Sequence, residues 1–404
     1  MNSNFSKSGA KTFGLLCVLL GLAAWGTTLP NEGTMEYVHE LINHAREQRV
    51  AQLREGGYYE SLMRPEKGQT VVKHTIIEMI TLSERVRTAA QETDIYKFNS
   101  FRIYEARPNL DFANSVEGPV KTDSHGLFDY EHSLEKPANA RRIALFGDSV
   151  IRGFGVSLEE RFSTLLEKKL NSQGRGNFEI VNFAVPAYYL PQTYDVVLEK
   201  APAFHPDVYV LGMTDITGAR PVWSDPLIQI IKDQQDLKYG SLRNVVKESG
   251  IKSTDSKELG RWKLSLYRER TMRELFLQMK ANVEHQSAKL VVFFVPSAQD
   301  QNALDGGFEP LRECLKGTGI PIVDASDTFK GADLDNLRLS WHDMHPDHKG
   351  HSMIADNLYR KLRENPDAWL AITGEPNDST KTGRASSAEI VEHPRGRQIT
   401  DVTK

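Results

Sequence analysis

Between Arg141 and Leu362 short apolar runs alternate with amphipathic stretches, and nothing else in the sequence restricts the fold as strongly. Ile143-Ala144-Leu145-Phe146 reads as a first strand and residues 158–170 as a helix. A second strand is expected over 178–185, a helix over 192–199, and further strands over 208–211, 290–295 and 321–324. A closing helix follows from about Gly350 to Leu362. Strand and helix taking turns in this way predict a parallel sheet with helices on both faces, a three-layer α/β/α sandwich over residues 139–366. In such sheets ligands collect at the carboxyl ends of the strands. A polar, glycine-containing insertion at about 216–261 interrupts the alternation and is expected to form a lid or rim over that edge.

The flanking segments have different compositions. Lys7 and Lys11 precede an apolar run from Phe13 to Trp25, and no charge returns until Glu32. Residues 1–30 therefore read as a cleaved export signal or a retained membrane anchor through 12–30, and the sequence leaves both open. Either way the two lysines hold the N-terminus in the cytoplasm and send the rest outward, to a secreted, periplasmic or envelope location. Residues 31–138 form an accessory region, charged and helix-periodic to about Gln91, then rich in Asn, Asp, Pro and Gly from 101 to 128, as short strands and loops require. Residues 367–404 are expected to be a disordered tail. Fifty Lys and Arg stand against 54 Asp and Glu, a formal net charge of −4 with no basic cluster, so nucleic acid is not an expected partner. Only Cys17 and Cys314 are present, and Cys17 lies in the apolar run, so the mature domain is expected to hold no internal disulfide.

The chemistry sits at the first strand end. Gly147-Asp148-Ser149 follows Phe146 directly, a strand feeding a tight turn that carries a serine. That is how α/β enzymes present a nucleophile, although the same tripeptide is also ordinary turn chemistry. Far along the chain, Asp343-Met344-His345-Pro346 supplies a candidate base and an orienting carboxylate ahead of Gly350-His351. With serine early and Asp-x-His late, residues 141–362 resemble the SGNH hydrolases, the GDSL esterase/lipase group. The resemblance implies a mostly parallel, flavodoxin-like sheet. It implies Ser149 as nucleophile and, through its own amide, as one oxyanion donor.

Three of the family's blocks depart from pattern here. Where a glycine amide is expected a few residues past Asn182 the chain has Ala187, whose amide serves unless the turn demands positive φ. Gly-x-Asn-Asp becomes Gly212-Met213-Thr214-Asp215, so the resemblance leaves Thr214 as a shorter third oxyanion donor. Asp-x-x-His becomes Asp343-x-His345, with His342 at the expected carboxylate position. His345 then needs Asp343, or a backbone carbonyl, to fix its tautomer. Tyr188, Tyr189 and Trp223 are candidate pocket residues, and equally candidate core.

The expected activity is that of an exported serine esterase or O-acyltransferase, acting on a small-molecule or carbohydrate ester through an acyl-serine, with no cofactor. One alternative is a catalytically silent carbohydrate- or acyl-binding protein of the same fold. Another is a metal-dependent hydrolase built on His342, His345, His348 and His351, although Pro346 breaks any single helix through them. No metal ligand set is assigned.

Overall fold

The structure, a computed structural model, describes residues 95–376 apart from 116, 173–176, 220, 300–306 and 341–342. The expected export segment, the helical stretch to about residue 91 and the tail beyond 376 lie outside the described residues. No helix among the described residues is long and apolar enough to cross a membrane.

The accessory region enters as two antiparallel hairpins. β1 (Tyr96–Asn99) pairs with β2 (Ile103–Ala106), and β3 (Asp111–Ser115) with β4 (Gly118–Lys121). Two-stranded ribbons are marginal alone. These are sealed to the rest of the chain by Tyr96, Phe101, Tyr104, Val120, Leu127 and Phe128, all buried in the same core as the sheet. A buried ion pair adds to the seal. Glu117 accepts from Arg152 at 2.6 Å and from the Tyr96 hydroxyl at 2.9 Å, and the Arg152 guanidinium stands 3.8 Å above the Phe128 ring.

The alternation then unfolds as expected. β5 (Ala140–Phe146) leads into the short helix α1 (Ser149–Arg152) and into α2 (Phe162–Asn171). β6 (Asn177–Asn182), α3 (Leu190–Asp195) and β7 (Val208–Thr214) follow. After the helices α4 (Asp215–Ala219), α5 (Asp225–Lys232), α6 (Gly240–Ser249), α7 (Lys257–Ser265) and α8 (Arg268–His285) comes β8 (Lys289–Val295). α9 (Glu309–Leu315), β9 (Ile322–Asp324) and a small ribbon of β10 (Arg338–Ser340) with β11 (Asp343–Pro346) lead to α10 (His348–Glu364) and α11 (Pro366–Thr373). The main sheet runs β6-β5-β7-β8-β9 with every pair parallel, the flavodoxin-like order.

Both faces of that sheet are covered, which is why its strands read as unbroken apolar runs. Along β5, Ala144 and Phe146 face one core while Ile143 and Leu145 face the other. The first core is closed by Met272, Leu275, Phe276 and Met279 of α8, the second by Phe162, Leu166 and Leu170 of α2 with Ile354, Leu358 and Leu362 of α10.

Several expected boundaries move. β6 stops at Asn182 rather than 185, where the Asn182 side chain takes the Ala184 amide at 2.9 Å, although the Phe183 and Val185 amides still reach the Leu145 and Gly147 carbonyls. α2 begins at Phe162 rather than 158. The insertion at 216–261 carries more regular structure than its polar sequence suggests. It is helical, and Leu227, Ile228, Ile230, Leu242, Val245 and Leu264 are buried in the core that holds Leu211 and Phe294. The tail also begins later than residue 367. Asn365 caps α11 by accepting from the Ala368 amide at 3.1 Å, Pro366 takes the first helical position, and Trp369 and Ile372 pack into the second core.

Candidate active site

The strand end that carries Ser149 is built around a residue without a side chain. A Cβ on Gly147 would lie 2.4 Å from Ile151 Cγ1 and 2.7 Å from the Gly212 carbonyl oxygen, so only glycine lets the chain turn here. Asp148 then caps α1, its Oδ1 accepting from the Val150 amide at 3.0 Å. Ser149 opens the helix, so its own amide has no partner within it.

His345 arrives on β11, which pairs antiparallel with β10. In an extended strand, side chains two apart point to the same side. That geometry makes Asp343 and His345 neighbours with a single residue between them. Asp343 Oδ1 accepts from the His345 amide at 2.9 Å and lies 2.6 Å from Nδ1 of the same residue. On the other side of the ring, Nε2 stands 2.7 Å from Ser149 Oγ. Asp343 and His345 are buried, and Ser149 is only 4% exposed. A carboxylate against Nδ1 places the proton there, which leaves Nε2 as acceptor for the serine hydroxyl. The Phe154 ring lies along the imidazole with centroids 4.5 Å apart. Of the two orienting groups left open by the sequence, the carboxylate of Asp343 is the one in contact.

The turn after β6 carries the other expected amide. Phe183, Ala184, Val185 and Tyr188 donate their amides to Leu145, Asn182, Gly147 and Val185 respectively. Ala187 donates to none of the described residues, and its backbone adopts the left-handed region at φ 56°. An alanine there costs about 1 kcal/mol against its ordinary conformations, so something must hold it. Pro186 and Tyr188 on either side are both tied to β2. The Tyr104 hydroxyl donates to the Pro186 carbonyl at 2.6 Å, and the Tyr188 hydroxyl donates back to the Tyr104 carbonyl.

Thr214 departs from the expectation. It is fully buried, and its hydroxyl donates to Asp148 Oδ2 at 2.5 Å while accepting from the Thr217 amide at 3.4 Å. Its single proton is thereby committed to a carboxylate, and none is left for an oxyanion. What Thr214 supports instead is the turn that carries Ser149. Burial pushes the Asp148 carboxyl up, opposed by the bonds from Thr214 and Val150 and by His345 nearby. Asp215 holds the loop after β8, accepting from the Ser297 amide at 2.7 Å and hydroxyl at 2.9 Å.

The aromatic pocket candidates separate. Tyr188 and Trp223 are buried in the first core, and Tyr188 also borders a small cavity together with Ala106, Leu127 and Val185. Tyr189 is half-buried at the start of α3, its amide donating to Gln192 Oε1 at 3.1 Å.

Among the described residues the clustered histidines have separate settings. His348 is exposed at the start of α10. His351 is fully buried, its Nδ1 accepting from the Phe162 amide at 3.3 Å, and burial holds its pKa down at about 3, so it stays neutral. His342 lies outside the described residues. No group of three His, Cys, Asp or Glu suited to a metal occurs among the described residues.

The Tyr104 and Tyr188 bonds were missed by sequence reasoning. They join positions more than eighty residues apart, and no local pattern announces them.

No protein-family model matches the sequence, and no curated protein matches it. Solved structures show a remote likeness. A lipolytic protein of the G-D-S-L family from Desulfitobacterium hafniense is 16% identical, covering 55% of this chain and 99% of its own, with a TM-score of 0.34. A psychrotrophic esterase from Pseudoalteromonas is 11% identical over 57% of this chain and 98% of its own, with a TM-score of 0.35. A catalytic mutant of an acetylxylan esterase from Geobacillus stearothermophilus is 15% identical over 55% of this chain and 94% of its own, with a TM-score of 0.36.

Proposed function

We propose that the chain is a serine esterase of the SGNH, or GDSL, kind, which acts through an acyl intermediate on Ser149. One observation carries the reading: the unbroken run from Ser149 Oγ to His345 Nε2 at 2.7 Å and from His345 Nδ1 to Asp343 Oδ1 at 2.6 Å. Ser149 Oγ attacks the ester carbonyl carbon as its proton passes to His345 Nε2. The carbonyl oxygen becomes an oxyanion facing the amides of Ser149 and Ala187. Collapse expels the alkoxide, which takes the proton from His345 and leaves as an alcohol. A second hydroxylic molecule, deprotonated by His345, then attacks the acyl-serine, and the proton returns to Ser149 Oγ.

Water as that acceptor makes the protein an esterase, and a sugar hydroxyl makes it an O-acyltransferase. The substrate class in this reading is a small-molecule or carbohydrate ester. Export belongs to the same reading, supported by Lys7 and Lys11 ahead of the apolar run from Phe13 to Trp25, whether as a cleaved signal or as an anchor through 12–30.

The direct test is turnover of a short-chain activated ester. Ser149→Ala is expected to abolish it while unfolding stays cooperative, since the lost hydroxyl sits at a turn and fills little volume. Undiminished turnover in that variant would end the serine reading.

A further inference from the structure

In the serine reading the second oxyanion donor is the Ala187 amide, and the inference below rests on that reading. The Ala187 N–H and the Pro186 carbonyl belong to one planar, trans peptide unit, so they point in opposite directions along a common plane. Fixing the carbonyl therefore fixes the N–H. The Tyr104 hydroxyl does this from the far side, at 2.6 Å from the Pro186 oxygen, in a buried contact. The same bond draws charge toward the carbonyl oxygen, which makes the N–H at the other end of the peptide a stronger donor.

The clamp is reciprocal. Tyr188, the residue after Ala187, donates its hydroxyl to the carbonyl of Tyr104 itself, and the two rings lie 5.4 Å apart. Ala187 is thus held between two tyrosine bonds to a single residue of β2, while adopting the left-handed backbone that an alanine resists. The Tyr104 ring is in turn packed edge-on against Tyr96 at 5.2 Å, and the Tyr96 hydroxyl bonds Glu117. Burial holds the Tyr104 hydroxyl protonated far above neutral pH, so it remains a donor.

We infer that Tyr104 is a positioning residue for the oxyanion site, aiming the Ala187 amide through the Pro186 carbonyl from a hairpin outside the α/β alternation. The accessory region, on this account, completes the catalytic machinery rather than decorating it.

Tyr104→Phe tests this, since it keeps the ring and removes only the hydroxyl. An amide swung out of line is expected to lower kcat on an activated ester by about 10- to 100-fold, with KM within about twofold of the original. Affinity for a trifluoromethyl ketone, whose adduct carries the oxyanion, should fall by the same factor as kcat/KM, whereas affinity for the substrate's alcohol product should not change. A residue that only stabilises the fold would lower the melting temperature and leave those ratios alone. Should Tyr104→Phe fail to fold, Tyr188→Phe loosens the same turn from its other end and carries the same expectation. An active, cooperatively folded Tyr104→Phe with unchanged kcat and ketone affinity overturns the inference and leaves the serine reading intact. A wild-type protein that neither turns over esters nor binds the ketone overturns both.

Discussion

At the scale of single residues, the site turns on where individual protons sit. Asp343 accepts from Nδ1 of His345, so Asp343→Asn would offer an amide where a carboxylate is needed and favour the tautomer that cannot receive the serine proton. We expect kcat to fall by up to about 10⁴-fold with little change in KM, read by steady-state kinetics on an activated ester. Retention of most activity would mean that another acceptor orients the ring. Thr214 carries the opposite expectation. Because its hydroxyl is committed to Asp148, Thr214→Val leaves a buried carboxylate oxygen short of its closest donor. The expected result is a loss of about 1–3 kcal/mol in stability by denaturant unfolding, with kcat reduced less than 10-fold. A direct oxyanion donor would instead cost about 10²- to 10³-fold in kcat. The sequence made Ser149, Asp343 and His345 visible because their types and order are unusual together. It misdirected the reading of Thr214, because residue type says nothing about which acceptor a hydroxyl will choose.

At the scale of elements, the strands of the sheet and the helices α2, α3 and α10 beside them were legible, and the helices between β7 and β8 were not. Strands such as Val208–Thr214 are buried on both faces, so they appear as apolar runs that polar neighbours cannot disguise. The helices α6 and α7 each bury an apolar stripe and carry charged residues elsewhere, so in sequence their apolar positions are diluted to the point of reading as a polar insertion. The stretch from 101 to 128 was readable as short strands and loops, which leaves out β1, and the docking of the hairpins depends on distant partners. One such junction joins the segment after β4 to β6. His132 Nδ1 lies 2.7 Å from Glu179 Oε1, and its Nε2 lies 3.3 Å from Asp129 Oδ2. Arg142 bonds the same Glu179 at 2.8 Å, and Arg161 bonds the same Asp129. Burial alone would lower the His132 pKa, but its bonds to Asp129 and Glu179 outweigh that and raise it to about 9. A raised pKa means the folded state holds the proton more tightly than the unfolded chain. The stabilisation is therefore fully present below about pH 6.5, the unfolded value, and is lost as pH rises through about 9. Melting temperatures of the wild type and His132→Gln should differ most near pH 6 and converge by pH 10. A difference that stays constant over that range would show that His132 contributes by packing alone.

At the scale of the whole molecule, a doubly covered parallel sheet brings residues almost two hundred positions apart to one edge. Ser149 follows β5, the Ala187 turn follows β6, Thr214 ends β7, and His345 comes from a ribbon near the C-terminal end of the described chain. The strand order alone places the first three together. The histidine requires the β10–β11 ribbon, whose short pairing no sequence pattern announced. The described fold brings Ser149, His345 and Asp343 into one hydrogen-bonded run, and the central claim of the proposal is that this run makes Ser149 a nucleophile. A serine-directed fluorophosphonate tests it without knowledge of the natural ester, with the adduct located by peptide mass spectrometry. The account predicts a single adduct on Ser149 in the wild type, none in Ser149→Ala, and labelling of His345→Ala slowed by about 10³-fold or more. A folded wild-type protein that stays unlabelled, or one whose His345→Ala variant is labelled at the wild-type rate, would contradict it.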